Sequence, residues 1–524
     1  MSHITGYDRN QASIFPHTPE EMVSQESMVR VVDAFVDSLD LKELEFQKVV
    51  CKEEGRPPYE PGDLLKLYLY GYLYRTRSSR KLEHLCTVNV EVMWLLKGLQ
   101  PSYKTIADFR KVHPKAIKAM FRKYVMMLKE WELVDGELVA IDGSKFRAVN
   151  SKKNNYNQKK IDRHLEYIDN RIDEFMQQLE QADKEECGDR KPDIKALKKK
   201  IETQKERRIE YEQLQKKLEE SGEDQISTTD EDARALLIRK NIVEVSYNEQ
   251  CSTDAKHNLI VNYKSTNEND RKALHETALE TKNILGKETM EVLADKGYHN
   301  GEQLDACAKD QIVTFVPPPD IPRTNAIPTS AYHGDKFVYN ESEDTYTCPA
   351  GNKLKTNGQW YQKGEASKNI IKVKHYKTPL CETCSVRNFC TSNKNGRLLE
   401  RSQYAQAVEA NNKRVRTQKE KYLLRQQIVE HPFGTIKRQW GFDHTLLKGL
   451  EKTDGEFGLV FLAYNLRRTM TIFGIKALIE RLKSRSFELF EIILHYNTIK
   501  RFRKKFKHSK SHQLYHAPCV AMAA

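Results

Sequence analysis

Two short apolar runs, each closed by an aspartate, constrain this chain more than any other feature. Glu137-Leu-Val-Ala-Ile-Asp142-Gly-Ser and Glu291-Val-Leu-Ala-Asp295-Lys-Gly-Tyr298 both read as a buried strand, an acid at its end, then a glycine. A carboxylate in that position is poorly solvated unless it pairs or meets a cation. Asp142 and Asp295 are therefore candidate site residues, and Gly143 is expected to end the first strand.

The segments around them predict an α/β fold in which helices precede, interrupt and follow a sheet. Residues 20 to about 135 are helical by periodicity. Met28, Val31, Val32, Phe35, Val36 and Leu39 mark one helix, GRPPYEPGD breaks the pattern, and Leu64, Leu65, Leu67, Tyr68 and Tyr72 mark the next. Short helices follow to Lys111. Ser102 is a candidate N-cap for the last of them, whose basic residues suit a helix-turn-helix-like DNA reader or a plain helical bundle. From Lys152 to Glu220 charged residues dominate, and Ile161, Leu165, Ile168, Ile172, Phe175 and Leu179 form a heptad seam. With a break at Cys187 to Pro192 and a second helix bearing Leu197, Ile201, Leu214 and Leu218, this is an antiparallel helical hairpin. Strands are expected at 243–248, 259–263 and 312–316, and helices at 270–285 and 302–309. Residues 317 to about 405 read as irregular, 406–440 as basic helix, and 457–482 as an amphipathic helix. Asp254 shapes a hairpin turn rather than a site.

Composition narrows the class. The chain has 524 residues, 31% of them charged, and a net charge of +13. Such a balance suits a phosphate-bearing partner, although a generic basic surface also fits it. The most apolar window, Leu459 to Ile479, is interrupted by Arg467 and Arg468, so no membrane span is expected. The N-terminal residues lack a secretion-signal layout, and ten cysteines without one point to a reducing compartment. The expected location is cytoplasmic.

Phosphodiester chemistry at neutral pH needs an activated oxygen nucleophile and a stabilised leaving oxygen. Two divalent metals can supply both, held by a few carboxylates. Glu430, in the helical stretch Leu423 to Lys437, offers a third acid. The order strand-acid, strand hairpin, helix, strand-acid, helix, strand, helix-acid is the layout of a ribonuclease-H-like core, a mixed sheet with flanking helices.

The segments AIDGSKFRAVNSK, LADKGYHN and VEHPFGTIKRQWG resemble the three acidic motifs of bacterial insertion-sequence DDE transposases, in the branch with an Arg-Glu-Lys signature at the last acid. YEPGDLLKLYLYGYLYRTRSSRKLEHLC resembles the helical domain that precedes their catalytic core. The resemblance runs from about residue 15 to residue 470. It implies binding of transposon terminal inverted repeats, cleavage there and strand transfer, with Asp142, Asp295 and Glu430 as ligands of Mg2+ or Mn2+. Lys437, two helical turns beyond Glu430, would reach a phosphate from the same face. Tyr422 and Arg425 match the upstream signature, Arg425 one residue further from the acid than the commonest spacing, and His431 and Pro432 are expected to interrupt the helix. Lys296 and Tyr298 are candidates to hold a phosphate and stack on a base, or Tyr298 packs under the Gly297 turn.

The implied organisation is a helical DNA-binding domain (1–134), a catalytic domain (135–480) with insertions at 152–222 and 318–404, and a basic tail (481–524). In the second insertion Cys348, Cys381, Cys384 and Cys390 either encircle structural Zn2+ or pack as reduced thiols, with His375 as an alternative ligand. Cys86 and Cys251 read as small buried hydrophobes. The expected partners are double-stranded DNA, as transposon ends and target, and further copies of the chain in a homodimer or larger synaptic complex. A nuclease without strand transfer and an inactive DNA-binding remnant are the alternatives.

Overall fold

The computed structural model describes residues 18–51, 54–55, 57–184, 194–239, 242–320, 327–364 and 370–485. The chain divides into two compact units, Met1–Val125 with Arg147–Arg234 and Gly434–Ala524, and Met126–Phe146 with Ala235–Phe433. The break of the helical hairpin at Cys187 to Pro192 and the basic tail beyond residue 485 lie outside the described residues.

The first unit is helical. Ser27 caps Met28–Asp37 by accepting from the Val29 amide, and Val29, Val31, Val32, Phe35 and Val36 bury its apolar side. Pro61 opens the next helix, Pro61–Leu73, where a missing N–H costs nothing. Ser79–Val88, Val90–Leu95 and Tyr103–Val112 follow, the last capped by Ser102 through the Thr105 amide. Arg110 of that helix does not face outward as part of a basic DNA reader. It is buried, donates to the Tyr72 hydroxyl at 2.8 Å and lies 3.9 Å from Glu456, which is 3.4 Å from Arg77.

Glu456 stands on Leu450–Phe473, a helix buried on nearly every side rather than amphipathic. Its polar residues turn inward. Glu456 accepts from the Leu446 and Leu447 amides, and Thr469 receives the Tyr124 hydroxyl at 2.9 Å. Gly455 lets Pro114 approach so closely that a Cβ there would sit 2.5 Å from its Cα. Asp230 and Asp232 accept from the Gly449 and Leu450 amides at the helix start. The hairpin helices Gln158–Lys184 and Ile194–Ser221 pack together through the expected seam, with Ile161, Ile168, Phe175, Leu197, Ile201 and Leu218 buried.

The second unit carries a mixed six-stranded sheet: β1 (Leu138–Arg147), β2 (Arg234–Arg239), β3 (Ile242–Asp254), β4 (Ile260–Thr266), β5 (Met290–Ala294) and β6 (Ile312–Phe315). The order is β2-β3-β1-β5-β6, with β4 antiparallel on β3, and β5 parallel to both β1 and β6. Four helices accompany it: α1 (Leu274–Leu285), α2 (Gly301–Lys309), α3 (Ala405–Thr417) and α4 (Lys419–Phe433). Ile428 and Val429 of α4 pack on Ala140, Leu293 and Phe315, which seats α4 on the sheet. Asn411 of α3 binds both the amide and the carbonyl of Val316.

Three local expectations need correction. β1 does not stop at Gly143 but continues to Arg147; the glycine is there because a Cβ would lie 2.3 Å from both Asp270 Oδ1 and Gln250 Nε2. Pro432 does not break α4, which runs to Phe433 and widens into a π-helical segment, Gly434–Gln439. The cysteine-bearing stretch is not irregular. It forms a second, antiparallel sheet from β7 (Val338–Asn340), β8 (Thr345–Thr347), β9 (Lys353–Thr356), β10 (Tyr361–Lys363), β11 (Ile371–Lys377) and β12 (Leu399–Ser402). Phe337, Tyr346, Leu354, Tyr376 and Leu399 form its core. Among the described residues no helix is long and apolar enough to cross a membrane.

Candidate active site

The β1–β5 ladder brings two of the three acids together. Ile141 is the register partner of Ala294, so Asp142, midway along β1, and Asp295, just past the end of β5, follow side by side on neighbouring strands. Asp142 Oδ1 accepts from the Gly143 amide at 3.0 Å, and its Oδ2 lies 3.8 Å from the Arg425 guanidinium. Burial pushes the Asp142 carboxyl up to about 6; Arg425 opposes this and the neighbouring Asp295 adds to it. Asp295 caps the short 3-10 turn Lys296–Tyr298 by accepting from the Gly297 amide at 2.6 Å.

Glu430 is exposed on α4, next to the buried pair Ile428 and Val429 that packs on β1, β5 and β6, and it accepts from Gln426 at 2.9 Å. Among the described residues no three of His, Cys, Asp or Glu stand close enough to hold one metal ion. The donors on these two neighbouring strands are nonetheless of the right kind for a hard divalent cation. They are carboxylate oxygens, side by side and partly desolvated, and Asp142 has few protein donors of its own.

The basic and aromatic candidates divide. Arg425 faces Asp142 rather than Glu430. Tyr422 is half-buried against the α4 cluster, and Lys296 is exposed with an ion pair to Asp320 at 2.7 Å. Tyr298 cannot stack on a base, because it is fully buried and its hydroxyl donates to Gln250. Lys437 is half-buried in the π-helical segment, so the regular helical spacing that aligned it with Glu430 does not apply.

Four residues beside Asp142 escaped sequence reasoning. Asp270 Oδ1 accepts from Asn248 and Gln250, each at 2.8 Å, and its Oδ2 pairs with Lys145 at 2.6 Å. The available signal was the polar run Asn248-Glu-Gln250 within a strand, all fully buried. Asp254 sits where the turn reading put it. Buried between β3 and β4, it accepts from the Gly136 amide at 2.8 Å and the Lys256 amide at 2.9 Å.

Cys348, Cys381, Cys384 and Cys390 line one cavity of about 20 Å³ beneath the second sheet, enough for a single ion or water. Cys348 Sγ accepts from the Asn352 amide. His375 is not among the lining residues; it stacks on Tyr361 instead, ring centroids 4.4 Å apart. Cys86 and Cys251 are buried, free thiols.

Family comparison matches residues 17–112 to a transposase domain (DUF772) and residues 347–470 to a transposase DDE domain. No curated protein matches the chain. A cryo-EM structure of a piggyBac transposase synaptic complex with hairpin DNA aligns over 95% of this chain and 87% of that one, at 8% identity and a TM-score of 0.28, a likeness too loose to argue from. With transposase models matched both in the helical N-terminal segment and across the stretch that carries Glu430, the chain carries a transposase domain and a transposase DDE domain and is a DNA transposase, an enzyme that cleaves DNA and transfers its strands.

Proposed function

We propose that this transposase binds the terminal inverted repeats of its element, cuts there and joins the ends to target DNA, with Asp142, Asp295 and Glu430 as the ligands of Mg2+ or Mn2+ on a ribonuclease-H-like core. The observation that carries this reading is the parallel register of β1 on β5, which aligns the two aspartates beside the sheet face where α4 packs. The sheet order supports the core: the β3–β4 hairpin lies to one side of β1, and the parallel β5 and β6 lie to the other. When bound, the divalent ions activate the attacking oxygen and stabilise the leaving one.

The chain's own residues prepare that site. Asp142 and Asp295 present hard oxygen donors, and Arg425 partly offsets the charge of Asp142. The Lys145–Asp270 pair, braced by Asn248 and Gln250, holds β1 straight just beyond Asp142. Lys296, Arg425, Tyr422 and Lys437 serve the DNA backbone. The helical segment 1–134 contacts the DNA ends, with 135–480 as the catalytic domain and 481–524 as a basic tail. Joining two ends requires two active sites, hence a homodimer or larger assembly. In the insertion, the four cysteines lining one cavity are the thiols that would close around structural Zn2+.

The test is cleavage of labelled DNA carrying the element's own termini, in Mg2+, by the parent and by Asp142→Asn. Loss of cleavage in the variant with DNA binding retained is expected; equal cleavage refutes the assignment. Adding a target duplex reports joining directly.

A further inference from the structure

The second sheet has one face closed by Tyr346, Leu354 and Tyr376. Register places Lys353, Lys355, Lys363, His375 and Lys377 on the opposite face. Lys355 and Lys377 are direct partners across the β9–β11 ladder, and both are exposed. Side chains so placed are about 5 Å apart at Cβ, and like charges there destabilise the pairing.

Neighbouring carboxylates relieve the conflict only in part: Glu343 feels the charge of Lys355 but makes its ion pair with Lys353. Lys353 takes Glu343 at 2.7 Å, and Glu400 lies between Lys363 and His375, 3.8 Å from the latter. Among the described residues neither Lys355 nor Lys377 has an ion pair. A sheet serving only to brace the insertion gains nothing from two facing lysines that make no ion pair among the described residues. A polyanion laid across the face would remove the repulsion and draw on both charges.

We infer that this outer face of the second sheet grips the phosphate backbone of duplex DNA, with Lys355 and Lys377 as paired phosphate contacts. The inference rests on the transposase reading and adds a DNA-holding surface outside the three-acid site. Backbone contacts of this kind carry no base information, so the grip is independent of sequence.

The test uses the full chain and a linear duplex of random sequence, with affinity measured across a salt series for the parent, K355E and K377E. Each variant should lower the log–log salt slope by about 1 and weaken binding roughly five- to tenfold at 0.1 M salt. Each variant also turns a like-charge pair into an opposite-charge pair, so its thermal midpoint should hold or rise. Weaker binding in a protein at least as stable as the parent separates a DNA contact from unfolding. Unchanged slopes and affinities in both variants, or a fall in midpoint with each, overturn the inference. If those variants match a parent that binds and cleaves DNA, only this surface is refuted. A parent that shows no salt-dependent DNA binding refutes the transposase reading as well.

Discussion

Replacing Gly143 by alanine tests how the strand beside Asp142 is held. The new methyl carbon would lie 2.3 Å from Asp270 Oδ1, 2.3 Å from Gln250 Nε2 and 2.9 Å from Asn248 Oδ1. These are side-chain ends, which elsewhere would swing aside cheaply. Here they bind one another: Asp270 accepts from both amides and pairs with Lys145, and Gln250 also receives the Tyr298 hydroxyl. Making room breaks at least two hydrogen bonds to a charged group, at about 1.5–3 kcal/mol each. Relief of glycine's chain entropy returns about 0.5–1 kcal/mol. The expected net loss is about 2–5.5 kcal/mol, read as a lowered urea midpoint with unchanged slope. Gly434→Ala is the control, because no atom lies within 4 Å of a Cβ there; it should be neutral or mildly stabilising. A Gly143→Ala protein within about 0.5 kcal/mol of the parent, inside the range of an ordinary surface change, would refute the argument that this polar cluster is locked.

Glu456→Gln should destabilise the first unit by about 3–5 kcal/mol, since it leaves Arg77 and Arg110 buried without a counter-charge; thermal unfolding near the parent value would count against the pairing. Asp254 gives a pH signature: burial, first of its causes, raises its carboxyl to about 6 in the fold. Its contribution is therefore complete below about pH 4 and fades by about 3 kcal/mol as pH rises through 6, so Asp254→Asn should flatten that part of a stability–pH curve, and an unaltered curve would contradict it. Chelation of the purified protein should release one zinc per chain and lower its melting temperature, with Cys384→Ser showing neither zinc nor the chelator effect; a metal-free parent of equal stability would leave the reduced-thiol packing as the answer.

Much of the framework was legible because it is periodic. The hairpin seam, the Ser102 cap and the presence of a strand before each aspartate follow a local repeat or a cap preference that tertiary contacts did not override. What escaped reading depends on partners distant in the chain. Gly143 looked like a strand end because glycine usually weakens strands, and only the approach of Asp270 and Gln250 explains it. Leu450–Phe473 looked amphipathic because its polar residues could not be matched in advance with the Tyr124 hydroxyl and the Leu446 and Leu447 amides. The second sheet was invisible because its strands run only three to seven residues, too short for a period to register. Arg110 carried the charge of a DNA reader, and nothing in its own helix announced Glu456.

Asp142 and Asp254 show why burial alone does not single out a candidate site acid. Both stand on strands of one sheet, and burial raises both carboxyls to about 6. Asp254 spends its two oxygens on the Gly136 and Lys256 amides and so fastens a turn. Asp142 receives one amide, from its own neighbour, and otherwise meets a guanidinium no closer than 3.8 Å and a second aspartate on the adjoining strand. A desolvated acid crowded by like charge and short of protein donors gains most from added positive charge. Arg425 supplies only part of that charge at Asp142, whereas both Asp254 oxygens are taken up by amides, and that difference in donors, rather than depth, favours Asp142 over Asp254 as the acid proposed to hold a cation.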